Sequence, residues 1–206
     1  MPNTSRVAVA IMAKAPVAGL AKTRLIPWIG AHAAAVLQER LTERTVATAL
    51  AANIGPVTVW CAPDPSHVSF RELVARYPVT LKRQPDGDLG ARMLAAMADA
   101  ARPVLVTGTD CPAFTAEHLR AAANALRDAD VVLIPAEDGG YVLIGARAAQ
   151  PNLFSGFAWG TATVLTETRA RIAALGLKAT ELSPLWDVDT ENDFARMERE
   201  LPELAL

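Results

Sequence analysis

Cysteine and histidine are scarce in this chain, with two of the first and three of the second in 206 residues. Cys61 and Cys111 stand fifty positions apart, each at the end of an apolar β-type run, which is neither zinc-ligand spacing nor a disulfide framework. Both are expected as buried thiols in a reducing compartment. His32, His67 and His118 show no paired spacing and fall beside expected helix starts, so no histidine-liganded metal is expected. Long hydrophobic runs are also missing. The longest near the start, residues 7–13, is far short of the roughly 20 residues of a membrane-spanning helix. Preceded by Arg6 and closed by Ala13-Lys14-Ala15, it imitates the apolar part of an export signal. Lys14 and Lys22, however, place charge where a cleavage region is small and uncharged. The expectation is a cytoplasmic protein that does not engage a membrane. Charge of one sign is not in excess, since 20 Lys+Arg against 22 Asp+Glu leave a net charge of -2. That balance excludes a strongly basic nucleic-acid binder. Repeats, low-complexity linkers and composition breaks are absent, so one domain over residues 1–206 is expected.

What is present is an alternation of short β-branched runs with longer amphipathic ones. Strands are expected at residues 7–12, 57–60, 79–81, 103–106, 131–134 and 141–144, with a short last strand leading into Trp186-Asp187-Val188-Asp189-Thr190. A long helix fits residues 31 to 53, with Ala34, Leu37, Leu41, Thr45 and Thr48 on one face. Val36, Val46 and Leu50 lie on the opposite side, which points to burial of both faces or to a homodimer contact. Leu89, Met93 and Met97 mark another helix, Leu119, Ala122, Ala123 and Leu126 the next, and Phe194, Met197 and Leu201 the last. A further helix ends near Gly176, which suits a left-handed cap. Continuous apolar strands interleaved with such helices predict an α/β fold with a mostly parallel sheet covered on both faces.

Ligands of such sheets bind beyond the carboxyl ends of the strands, so the residues just after each run carry the information. Strand one is followed by Lys14, Gly19, Lys22, Thr23 and Arg24, and strand three by Gln84-Pro85-Asp86-Gly87-Asp88-Leu89-Gly90. Gly108-Thr109-Asp110-Cys111-Pro112 follows strand four, and Glu137-Asp138-Gly139-Gly140-Tyr141 follows strand five. The first loop offers what a polyphosphate needs: mobile Lys charges, an Arg fork and a Gly that admits the backbone. It is not a P-loop, because Gly19 is followed by Leu20-Ala21-Lys22-Thr23 rather than by the spaced Gly-Lys-Ser/Thr, and G-x-G-x-x-G is missing as well. Asp110 at a strand end can reach a divalent cation. Asp187 and Asp189, two apart, share one face of an extended strand. Magnesium takes one or two carboxylates plus substrate phosphates, so Asp110 with either would suffice. Thr190 with Asp193 also fits a helix-capping box.

Six ordered blocks, residues 13–25, 87–90, 108–112, 137–141, 159–161 and 186–190, together resemble a bacterial CofC-like family. Its members also go by radical-SAM/selenodomain-associated transferase and by candidate glycosyltransferase, within the nucleotide-diphospho-sugar transferase superfamily. The resemblance implies a single Rossmann-like glycosyltransferase A domain, its mixed, mainly parallel sheet carrying one reversed strand. It further implies that Lys14, Gly19, Lys22, Thr23 and Arg24 bind phosphates, and that Asp110 and Asp189 hold Mg2+ (or Mn2+). Gln84, Gly87, Asp88 and Gly90 would border the base or sugar, and Asp138, Gly139, Gly140, Tyr141 and Trp159 would face the acceptor. Thr109-Asp110-Cys111 stands where glycosyltransferases usually carry an Asp-x-Asp pair. The activity expected first is nucleotidyl transfer from a nucleoside triphosphate to a phosphorylated small acceptor, with Lys22 and Asp110 central. The alternative is glycosyl transfer from a nucleotide-sugar, with Asp138 as base.

Overall fold

The computed structural model describes residues 7–206, so Arg6 lies outside the described residues. Seven strands form one sheet: β1 (Ala8–Lys14), β2 (Val57–Ala62), β3 (Thr80–Arg83), β4 (Val104–Thr107), β5 (Val131–Pro135), β6 (Tyr141–Ala146) and β7 (Ala179–Glu181). Their spatial order is β3-β2-β1-β4-β6-β5-β7. β1 pairs in parallel with β2 and β4, β2 with β3, and β5 with β7, while β6 runs antiparallel to both β4 and β5. The reversal follows from the short β5–β6 connection, which can join antiparallel but not parallel neighbours.

Six helices accompany the sheet: α1 (Ile26–Ala52), α2 (Val68–Arg76), α3 (Leu89–Ala100), α4 (Ala116–Ala125), α5 (Val164–Ala174) and α6 (Glu191–Glu200). Alternate strand residues face opposite layers. Val9, Ile11, Val57, Val59 and Leu105 pack under α1, α2 and α4, whereas Ala8, Ala10, Val104, Val106 and Leu133 pack under α3 and α5. Both faces are thereby covered, which is why the strands read as unbroken apolar runs.

α1 starts earlier than its periodicity suggests, because Pro27 begins a turn that Gly30, at φ +81°, then kinks. Both of its sides are buried within the chain. Val46, Ala49 and Ala52 meet the sheet core, and Leu37 and Leu41 join Leu25, Trp186, Val188, Met197 and Leu204 in a separate cluster. That second cluster pins the end of the loop after β1 against the chain that follows β7. The last strand stops at Glu181; residues 185–189 continue as an extended segment, bridged from Leu185 to Ala136 and by the Val188 amide donating to the Asp110 carbonyl at 2.9 Å. Among the described residues no helix is long and apolar enough to cross a membrane.

Candidate functional site

Three chain segments meet beyond the carboxyl ends of β1 and β4. The loop after β1 turns through Gly19, at φ +85°, and reaches Lys22, a non-glycine residue at φ +45°. This strained backbone aims the Lys22 side chain inward, where it is 4% exposed. Its Nζ donates to the Val188 carbonyl at 2.7 Å, pairs with Asp110, and lies 3.5 Å from Asp189 Oδ1. Burial lowers the pKa of this ammonium, but Asp110 and Asp189 outweigh it and the net direction is upward, so Lys22 stays charged. Arg24 Nη1 reaches the other oxygen of Asp189 at 3.3 Å. Lys14 Nζ donates to the Leu20 carbonyl at 2.8 Å, closing the loop on itself.

Two clefts open here. One, of ≈ 240 Å³, is lined by Lys14, Lys22, Thr23, Arg24, Gln38, Thr109, Asp110 and Asp189. The other, of ≈ 190 Å³, is walled by Leu89, Met93, Tyr141 and Val142, with Asp110, Cys111 and Asp187 on its floor and rim. Met12 and Asp110 belong to both. A cationic compartment and a largely apolar one therefore adjoin at a single carboxylate.

The carboxylates are crowded. Burial, then the charges of Asp110, Asp138 and Asp189, raise the Asp187 pKa to about 7 against the partial relief of Lys22. Asp110 and Asp189 both face the Lys22 ammonium, so two carboxylates converge on one positive charge. Among the described residues no three His, Cys, Asp or Glu side chains gather as a metal cage. A cation held here would draw two carboxylates from the protein and its other ligands from substrate and water, as magnesium commonly does. Cys111 is a buried thiol pushed up to about 12, Cys61 likewise, and both are free.

Several expected site residues have framework duties. Gln84 is buried, its Nε2 donating to the carbonyls of Ala13 at 3.1 Å and Trp60 at 2.8 Å, which fastens the loop after β3 to β1 and β2. Asp88 caps α3, accepting from the Ala91 amide at 2.8 Å. Gly87 takes φ +118° in the turn before it. A Cβ at Gly90 would stand 2.5 Å from both the Phe154 carbonyl and the Trp159 ring. None of these four lines either cleft; their neighbour Leu89 does. On the acceptor side only Tyr141 reaches a cleft, its phenol kept protonated by burial. Gly139 approaches Ala162 too closely for any side chain, and Asp138 is exposed and accepts from the Gly140 amide at 2.9 Å. Asp138 thus shapes this turn, and its charge is felt by Asp187. Trp159 packs on Phe157 at 4.8 Å, with its indole N–H buried and unpartnered among the described residues. Sequence reasoning assigned no role to Gln38 and only a helix-face role to Met93, while Leu89 lay within the segment expected to border the base or sugar. Gln38 left one clue, a polar residue between Leu37 and Leu41 on a buried helix face.

The family model of DUF2064, an uncharacterized protein conserved in bacteria, matches residues 45–161, more than half of the chain. No curated protein matches it. Among solved structures, a proposed nucleotide-diphospho-sugar transferase from Desulfovibrio desulfuricans G20 is 28% identical, with a TM-score of 0.85 over 96% of this chain and 89% of that one. A nucleotidyl transferase from Methanothermobacter thermautotroptrophicus is 17% identical, with a TM-score of 0.68 over 97% and 99%. A 4-diphosphocytidyl-2C-methyl-D-erythritol synthase from Anaerococcus prevotii DSM 20548 is 14% identical, with a TM-score of 0.62 over 96% and 99%. The fold is thus the Rossmann-like glycosyltransferase A type.

Proposed function

The chain belongs to the DUF2064 family, and from that premise and its double cleft we propose that it is a CofC-like transferase moving a nucleotidyl group from a nucleoside triphosphate to a phosphorylated small acceptor. The observation that carries this is the meeting of a cationic and an apolar compartment at Asp110. In this account the triphosphate lies along Lys14, Thr23 and Arg24, whose charges offset the pyrophosphate as it leaves. The acceptor enters from the side of Leu89, Met93 and Tyr141. Its phosphate oxygen bonds to the α-phosphorus as the bond from that phosphorus to the bridging β-oxygen breaks. No side-chain nucleophile is required. Asp110 and Asp189 would hold a divalent cation, Mg2+ or Mn2+, which when bound supplies neutralisation of phosphate charge. Without that cation, Lys22 stands between those two carboxylates and balances their charge.

The test is a thermal-stabilisation panel of nucleoside triphosphates and nucleotide-sugars with magnesium, followed by pyrophosphate release with phosphorylated acceptors. Preference for a triphosphate, with pyrophosphate released, supports nucleotidyl transfer. Glycosyl transfer uses the same clefts and draws support from the description of the Desulfovibrio neighbour. Preference for a nucleotide-sugar without pyrophosphate release would favour it.

A further inference from the structure

The floor of the cationic cleft is a buried polar chain crossing from α1 to the loop after β4. Gln38 and Thr109 are 4% and 3% exposed, yet both line the cleft. The Thr42 hydroxyl donates to the Gln38 backbone carbonyl at 2.8 Å, so its oxygen can only accept from the Gln38 side chain, 3.3 Å away. With the Thr42 proton so engaged, the Gln38 amide is assigned with Nε2 toward Thr42 and Thr109. The second Nε2 hydrogen then goes to Thr109 Oγ1, at 2.9 Å. Thr109 accepts from Gln38, and among the described residues its own hydroxyl proton has no acceptor. Arg44, two turns further along α1, donates to the Pro112 carbonyl at 2.8 Å and holds the same loop from its other end. The helix therefore holds the 109–112 loop at both ends and engages one lone pair of the Thr109 hydroxyl.

We infer that Gln38 is a positioning residue which presents the Thr109 hydroxyl as a donor to a phosphate oxygen beside Asp110. The inference rests on the proposal that this cleft takes a triphosphate. The physical reason is geometric: a free threonine hydroxyl rotates, and its oxygen can accept or donate. Once Gln38 occupies one of its two lone pairs, the hydroxyl proton is kept off the α1 side, and the cleft is the space on the other side. An anion is the ligand class that uses a donor there, since the charge-assisted bond is stronger than a neutral one. Gln38 would touch no substrate; its effect would run through Thr109.

Calorimetric titration with magnesium tripolyphosphate, the part shared by all nucleoside triphosphates, tests this. Thr109→Val and Gln38→Met should each weaken binding roughly ten- to hundredfold, the range for one hydrogen bond to a charged group. The double variant should be no weaker than Thr109→Val alone, and Thr109→Ser should restore binding to within about threefold of the original. Unchanged affinity in Gln38→Met, or losses that multiply in the double variant, would overturn the positioning role. The Thr109→Ser and Thr109→Val pair leaves α1 intact, so equal losses in both would overturn the hydroxyl donor even if Gln38→Met failed to fold. A wild-type protein that ignores tripolyphosphate but binds a nucleotide-sugar would overturn the triphosphate site itself and this inference with it.

Discussion

Lys22 combines a strained backbone with a buried ammonium held by Asp110, Asp189 and the Val188 carbonyl. The two carboxylates are each about half exposed, so the pairing counts for less than a fully buried ion pair. Lys22→Met should lower stability in chelator by about 1–3 kcal/mol, the cost of orphaning charged hydrogen-bond partners. Because the freed carboxylates then repel one another, magnesium should raise the variant's Tm more than that of the wild type. Equal shifts would contradict the counter-ion role. Asp187 supplies a pH-dependent check. Its folded pKa, about 7, lies above the ordinary 3.8, so the folded chain holds this proton more tightly than the unfolded one. The resulting stability is fully present below about pH 4 and is lost as pH rises through about 7. In chelator, the Tm advantage of Asp187→Asn over wild type should grow from pH 5 to pH 8; a constant difference would refute the crowding. Asp110, Lys22 and Arg24 were legible in the sequence because charged residues after apolar strands have few structural uses. Gln38 was not, because only the tertiary approach of α1 to Thr109 gives its amide a partner.

The elements were readable where one pattern dominated. β5 and β6, two apolar runs with a short connection between them, had to form a hairpin, and β6 is the reversed strand. The segment at residues 185–189 was expected as strand-borne, yet the strand ends at Glu181 and the segment is placed by the burial of Trp186 and Val188 against α1 and α6. Periodicity over five residues carries no sign of that anchoring. The loop between β3 and α3 reads two ways for a related reason: Gly87-Asp88-Leu89-Gly90 is as good a helix start as a ligand loop. Asp88→Ala should therefore cost about 1 kcal/mol, the usual loss of an N-cap, which is a Tm drop of about 2–4 °C at this chain length. Its nucleotide affinity should match that of the wild type. A lost affinity with unchanged Tm would return Asp88 to the binding site.

At the scale of the molecule, the near-zero net charge conceals an arrangement that composition cannot express. Lys22 and Arg24 are interleaved with Asp110 and Asp189 in direct ion pairs. The family match over residues 45–161 takes in Asp110 but stops short of both the Lys22 loop and Asp189. The site is thus assembled from the matched stretch and from two flanking segments that Leu25, Trp186 and Val188 hold together. The measurement that bears most directly on this assembly is calorimetric titration of nucleoside triphosphates with magnesium into the wild type and Asp110→Ala. The account predicts saturable binding of at least one triphosphate by the wild type and its collapse, by tenfold or more, in the variant, as expected from loss of one charge-assisted contact. Triphosphate binding that is indifferent to Asp110, or absent from the wild type altogether, would contradict it.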